Sequence, residues 1–190
     1  MDRLLEQGCE MSGKKRSLQQ PGLSDASLCQ LAAGKTGVRA AKIVPPAEVQ
    51  TAAWVRLKCQ YGCDGYGQCL VCPPFTPTPD QTRQVLDCYR RAILIHFEPG
   101  VEIKRSVAEL EREVFLRGAW KAFGLGAGPC CFCESCVLKP GRCRHAEQAR
   151  PAMEACGIDV YSTARKAGFE INVVRTRKQC PDYFGLILVD

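Results

Sequence analysis

The sequence predicts an α/β or α+β domain, a mixed sheet flanked by helices, with two cysteine-rich loops suited to a metal or cluster. Three observations carry that expectation. The runs at residues 92–97 (AILIHF) and 184–189 are short, apolar and bounded by turn formers, as buried strands are. From Ile103 the apolar positions Ile103, Val107, Leu110 and Val114 recur at helical intervals, with Glu109, Glu111, Arg112 and Glu113 between them. The chain also holds 14 cysteines in 190 residues, most of them in two groups.

Residues 1–40 show little periodicity and several breakers (Gly13, Pro21, Gly22, Gly34, Gly37), so they read as a mobile N-terminal extension before a domain at 41–190. Within that extension, residues 28–33 suit a helical turn. Cys9 and Cys29 have no spaced partner there and read as incidental thiols. Pro45-Pro46 imposes an extended entry, and residues 47–56 suit a short helix. A first cysteine loop follows at 59–79. Residues 80–90 have helical character, with Asp80 as N-cap and Val85, Leu86 and Tyr89 for burial. The strand at 92–97 and a turn at Pro99-Gly100 lead to the long helix, which runs from Ile103 to about Phe123. After the second cysteine loop, helices are expected at 146–156 and 160–167, the latter closed by Gly168. Strands at 170–174 and 184–189 end the pattern.

Bulk composition narrows the class. A hydrophobic fraction of 46% and a charged fraction of 24% are those of an ordinary globular chain. No apolar run reaches the roughly 20 residues of a spanning helix, and no secretory signal pattern is present. Cysteine in that setting points to metal or redox chemistry in a reducing compartment, the cytoplasm, and not to a disulfide framework. The net charge of +6 is spread along the chain without an RNA-binding signature, so a nucleic-acid partner is not indicated.

The second cysteine group, GPCCFCESCVLKPGRC, places Cys130, Cys133 and Cys136 at C-x2-C-x2-C spacing, with Cys143 six residues on. Three thiols so close in sequence can take one face of a small inorganic core, and a fourth cysteine can complete it, as in ferredoxins. Cys131 breaks the spacing and reads as a spectator. Iron–sulfur, most simply one or two 4Fe–4S clusters, is the leading cofactor; zinc, whose knuckles also use C-x2-C, is the alternative. The first group, Cys59, Cys63, Cys69 and Cys72, matches no simple zinc ribbon. Gly62, Gly65 and Gly67 permit a tight loop there, and Tyr61, Tyr66 and Phe75 are candidates to shield a cluster. Arg142, Arg144, His145 and Arg150 lie near the second group, where cations would raise a cluster's potential. His96, in an apolar strand, reads as a satisfied core histidine. Glu134 and Glu147 lack a nucleophile partner, and no Gly-rich nucleotide fingerprint, P-loop or HExxH motif is present.

Cys59-x3-Cys63, Tyr66-Gly67, Cys72-Pro73-Pro74, Gly128-Pro129-Cys130-x2-Cys133-x2-Cys136, Cys143-Arg144-His145, Ala149-Arg150-Pro151, Met153-Glu154-Ala155 and Gly157-Ile158-Asp159-Val160 together resemble a prokaryotic family of predicted cysteine-rich metal-binding proteins of unknown function. The likeness spans roughly residues 41–190. It implies metal binding without an established reaction, with Cys59, Cys63 and Cys72 as ligands of one site and Cys130, Cys133, Cys136 and Cys143 as ligands of another. Cys69 and Cys131 are extras to that pattern, and Ala146 and Ala152 stand where Pro and Ser are expected. The functional expectation is an iron–sulfur protein that moves electrons to, or supports, a redox partner protein. A zinc-stapled interaction module and a cluster-dependent enzyme acting on a small substrate are the rival classes.

Overall fold

The computed structural model describes residues 23–139, 141–176 and 178–190, so the expectations for residues 1–22 and Cys9 lie outside the described residues. In chain order the elements are α1 (Asp25–Ala33), β1 (Val38–Val44), a 3-10 turn (Pro46–Glu48), α2 (Ala53–Gly62), α3 (Pro79–Leu86), β2 (Ala92–Phe97), α4 (Ile103–Leu116), β3 (Phe123–Leu125), a second 3-10 turn (Glu154–Cys156), α5 (Val160–Lys166) and β4 (Tyr183–Leu188). The four strands form one sheet in the order β1-β2-β4-β3, antiparallel at every pairing. Of the two expected classes, this is α+β.

Strand periodicity then divides the core. Ile93, Ile95 and Phe97 of β2, with Ile187 of β4, face a cluster built from Leu28 and Ala32 of α1 and Ile103, Val107, Leu110 and Val114 of α4. Ala92 and Leu94, with Phe184, Leu186 and Leu188, face the other cluster, which holds Leu86, Met153, Ile158 and Ala164. Each fully buried Leu or Ile contributes about 1.5–3 kcal/mol, so apolar side chains on both faces of β2 and β4 hold three layers together. Helix α4 lies close on the sheet because two strand residues are glycine. A Cβ on Gly124 would come within 2.4 Å of Val107 Cγ1, and one on Gly185 within 3.0 Å of Val107 Cγ2.

Several expectations need correction. Residues 25–40, expected in a loose extension, supply α1 and the start of β1; Leu28 and Ala32 are fully buried, so this segment is part of the core. The helix expected at 47–56 begins at Ala53, because Pro46–Glu48 forms a 3-10 turn and Thr51 pairs with Ile158 in an isolated bridge. Helix α3 starts at Pro79, not Asp80, under a capping box in which Thr78 and Gln81 bond each other's backbone; Val85 is exposed on it. Helix α4 stops at Leu116, ahead of Gly118 at φ +108°, and Phe123 enters β3. Residues 146–156 make only the short turn at Glu154–Cys156. Residues 170–174 form no strand; Ile171 alone is buried there. Helix α5, capped by Asp159 on the Ser162 amide and followed by Gly168 at φ +73°, holds its expected place.

Candidate metal centre

The cysteines lie in two loops, one following α2 and one following β3. The second leaves the fold just after β3 and returns at residues 150–153. Its two ends are zipped together: the Gly126 amide donates to Pro151 O at 2.8 Å, and the Met153 amide donates to Gly126 O at 2.9 Å. Arg150 at the return point makes a two-point ion pair with Glu111 of α4. The first loop continues from α2, which carries Cys59 in its last turn and is followed directly by Cys63. Arg56 of the same helix pins the loop's far side: its guanidinium bonds Thr76 Oγ1 at 2.8 Å and also reaches Ala155 O. Ala52 and Asp159 complete the attachment through backbone bonds to Gly157 and Gln50.

Held this way, the two loops face each other across a half-open cavity of about 330 Å³. Cys69 and Cys72 line it from the first loop, and Cys130, Cys133, Cys136 and Cys143 line it from the second. Leu70, Val71, Pro129, Phe132 and Leu138 supply its apolar wall. The expected shielding by Tyr61 and Phe75 is absent, since both are exposed. The loops touch directly where the Leu70 amide points at Cys136 Sγ, 3.4 Å away, and the His145 amide stands at the same distance from Cys143 Sγ. Each contact sets a backbone N–H against sulfur.

Cys59 and Cys63 do not line this cavity but adjoin it. The Sγ atoms of Cys63 and Cys72 both lie beside Gly65, 3.6 and 3.4 Å from the position an added Cβ would take. Cys72, the buried member, thus stands between the Cys59–Cys63 end of α2 and the cavity. Cys131 is exposed and off the lining. Among the described residues no three His, Cys, Asp or Glu side chains are drawn together into a ready coordinating group; the thiols line a common space and not a closed shell.

The electrostatics follow from burial. Desolvation, reinforced by neighbouring thiols, raises the pKa values of Cys59 and Cys72 and pushes Cys69 up to about 12. A metal or cluster that takes these groups as ligands must therefore displace their protons. Lys104, in the first turn of α4, is buried at the neck of the second loop and donates to Arg150 O at 2.8 Å. Burial lowers its pKa, while Cys72, Cys130 and Cys69 act in the opposite sense. The donor set fits a soft metal or an iron–sulfur core: six thiols, no carboxylate on the inner wall except the exposed Glu134, and one buried cation alongside.

The other candidates separate from this site. Arg150 is committed to Glu111, Arg144 reaches only Ser135 O at 3.4 Å, and Arg142 is exposed. His145 stacks on Phe132 at 5.8 Å between ring centroids. His96 bonds Asp182 at 3.0 Å and stacks on Phe184, as a satisfied core histidine does. Cys180 is exposed. Lys104 was not singled out in the sequence, where it stands as an ordinary polar position on an amphipathic helix.

Fold and site together define an α+β protein whose two cysteine loops close over a thiol-lined cavity. The chain belongs to the family described as "Predicted metal-binding protein (DUF2284)", whose model matches residues 42–189. No curated protein and no solved structure matches it. No helix among the described residues is long and apolar enough to cross a membrane.

Proposed function

We propose that this protein holds an iron–sulfur centre, of the 4Fe–4S type, between its two cysteine loops and serves electron transfer to a cytoplasmic redox partner protein. The observation that supports this reading is the cavity: six thiols from two separate loops around about 330 Å³, roughly ten times the share of one water molecule and more than a single ion needs. In this reading Cys130, Cys133, Cys136 and Cys143 are the ligands from the second loop. Cys72 reaches the same space from the first loop and, with Cys59 and Cys63, belongs to a second, adjoining site. Residues 41–190 form the metal-binding unit, with α1 and β1 as its structural support.

When bound, the cluster would supply reversible one-electron chemistry. The chain's own residues supply the rest: thiols to anchor it, amides of Leu70 and His145 aimed at sulfur, and an apolar wall of Leu70, Val71, Phe132 and Leu138 to limit water. The half-open side leaves a path for electron exchange at the surface.

Anaerobically purified protein should be brown, contain iron and acid-labile sulfide in comparable amounts, and give an EPR signal on dithionite reduction. A colourless protein with stoichiometric zinc defeats the cluster and leaves the zinc-stapled module. That second reading is favoured by the clamped loop ends, which let one metal close the loops as a structural staple.

A further inference from the structure

Among the described residues, Lys104 is the one charged residue type in the buried class, with 2% of its surface exposed. Its stem runs along Gly126, where an added Cβ would lie 3.1 Å from Lys104 Cγ, and its Nζ ends at Arg150 O, 2.8 Å away. The side chain thus threads the zipped neck of the second cysteine loop. No carboxylate among the described residues pairs with it at ion-pair distance. The ionisable groups facing it are the thiols of Cys72, Cys130 and Cys69 and, last in influence, Glu154, whose carboxyl pKa is raised by desolvation and lowered by Lys104. A buried ammonium with a single carbonyl acceptor is a costly arrangement, and neutral thiols do not offset it. Thiolates do. A divalent ion held by three or more thiolates keeps a net negative charge, and so does a thiolate-ligated iron–sulfur core.

We propose that Lys104, buried at the neck of the second loop, is the built-in counter-charge of an anionic metal–thiolate centre held by the cysteine loops. The assignment rests on the metal-binding reading above. It makes the metal-free fold carry an uncompensated buried cation, which metal binding neutralises. Removing the charge therefore acts with opposite sign on the two forms. A lysine that only hydrogen-bonds Arg150 O acts with the same sign on both.

The test uses the full chain, its Lys104→Met variant, which keeps length and apolar bulk, and Lys104→Arg, which keeps charge. Zn²⁺ is the probe because any thiol site of this kind takes it. Affinity is read by competition with a chelator, and thermal unfolding is read with and without Zn²⁺. Lys104→Met is expected to weaken Zn²⁺ binding about 10–100-fold. It should leave the zinc-free midpoint unchanged or higher, and lower the zinc-loaded one. Lys104→Arg should bind Zn²⁺ more tightly than Lys104→Met. Equal loss of thermal stability in both forms, with affinity unchanged, overturns the assignment and leaves Lys104 as a structural hydrogen-bond donor. A native chain that takes up no Zn²⁺ and retains no iron overturns the metal reading itself, and the Lys104 assignment with it.

Discussion

Arg150 and Glu111 meet through two parallel contacts, Nε to Oε2 at 2.5 Å and Nη2 to Oε1 at 2.6 Å, with their side chains only 12% and 13% exposed. Glu111 Oε2 also accepts the Gly124 amide at 2.7 Å. One carboxylate on α4 therefore holds both the strand that leads into the second cysteine loop and the residue at which the loop returns. Glu111→Gln would leave a buried guanidinium facing a neutral amide and should destabilise the fold by about 3 kcal/mol, read as a lower urea midpoint. Pairing it with Arg150→Met should recover part of that loss, because the stranded charge is then gone. A double variant as unstable as the sum of the singles would mean the two residues act separately.

The thiols should not be equivalent. Serine at Cys72, Cys130, Cys133, Cys136 or Cys143 removes a soft donor from the cavity wall and should reduce bound metal at purification. Cys131→Ser, at an exposed position off the lining, should retain the native content. Cys69→Ser decides a point on which spacing and geometry differ: a loss of metal places it among the ligands, and full retention leaves it an unligated lining residue. Metal analysis per folded chain is the measurement.

What could be read from the sequence was local. Ala92–Phe97 and Tyr183–Leu188 announce themselves because strands buried on both faces are apolar throughout. Ile103, Val107, Leu110 and Val114 announce α4 because one face of a helix meets the core. β1 was missed because VRAAKIV lies at the sheet edge, is mostly half-buried, and carries no run to recognise. β3 is three residues long and exists only through its pairing with β4. The cysteine groups were visible as spacings. Their shared cavity, the place of Cys69 on it and the burial of Lys104 depend on two loops far apart in sequence meeting in space, which no window of sequence contains.

Asp190 offers a pH-dependent check on the fold. Its carboxylate takes two bonds from Arg91, Nη2 to Oδ2 at 2.6 Å and Nε to Oδ1 at 3.0 Å, while Arg91 also bonds Asp25 and Leu23 O. Hydrogen bonding to Arg91, ahead of simple charge attraction, holds the Asp190 pKa below its ordinary 3.8. A carboxylate depressed in the folded state contributes stability above its unfolded pKa and loses it as pH falls through the lower folded value. Asp190→Asn should therefore cost about 1 kcal/mol near neutral pH, a modest figure because the pair is partly exposed. The difference from the native chain should close as pH falls to about 3 and below, measured by urea denaturation across that range.

Metal removal should open the loops before it unfolds the sheet. The sheet's core is secured by two apolar clusters and by ladders that involve no cysteine ligand. The loop necks are held by Gly126 with Pro151 and Met153, by Ala52 with Gly157, and by Arg56 with Thr76, none of which needs a metal. Beyond those necks, residues 59–75 and 128–148 bury few side chains; Cys72 and Pro73 are the buried members of the first segment, and the second has none among its described residues. Local stability follows buried contacts, so these segments belong to the low end of the opening scale. Chelation of the loaded protein should then speed amide exchange across both segments and leave the amides of Ile93–Ile95 and Leu186–Leu188 protected. A single cooperative collapse, with strand amides released together with the loops, would instead make the metal the keystone of the whole fold, as it is in small zinc modules.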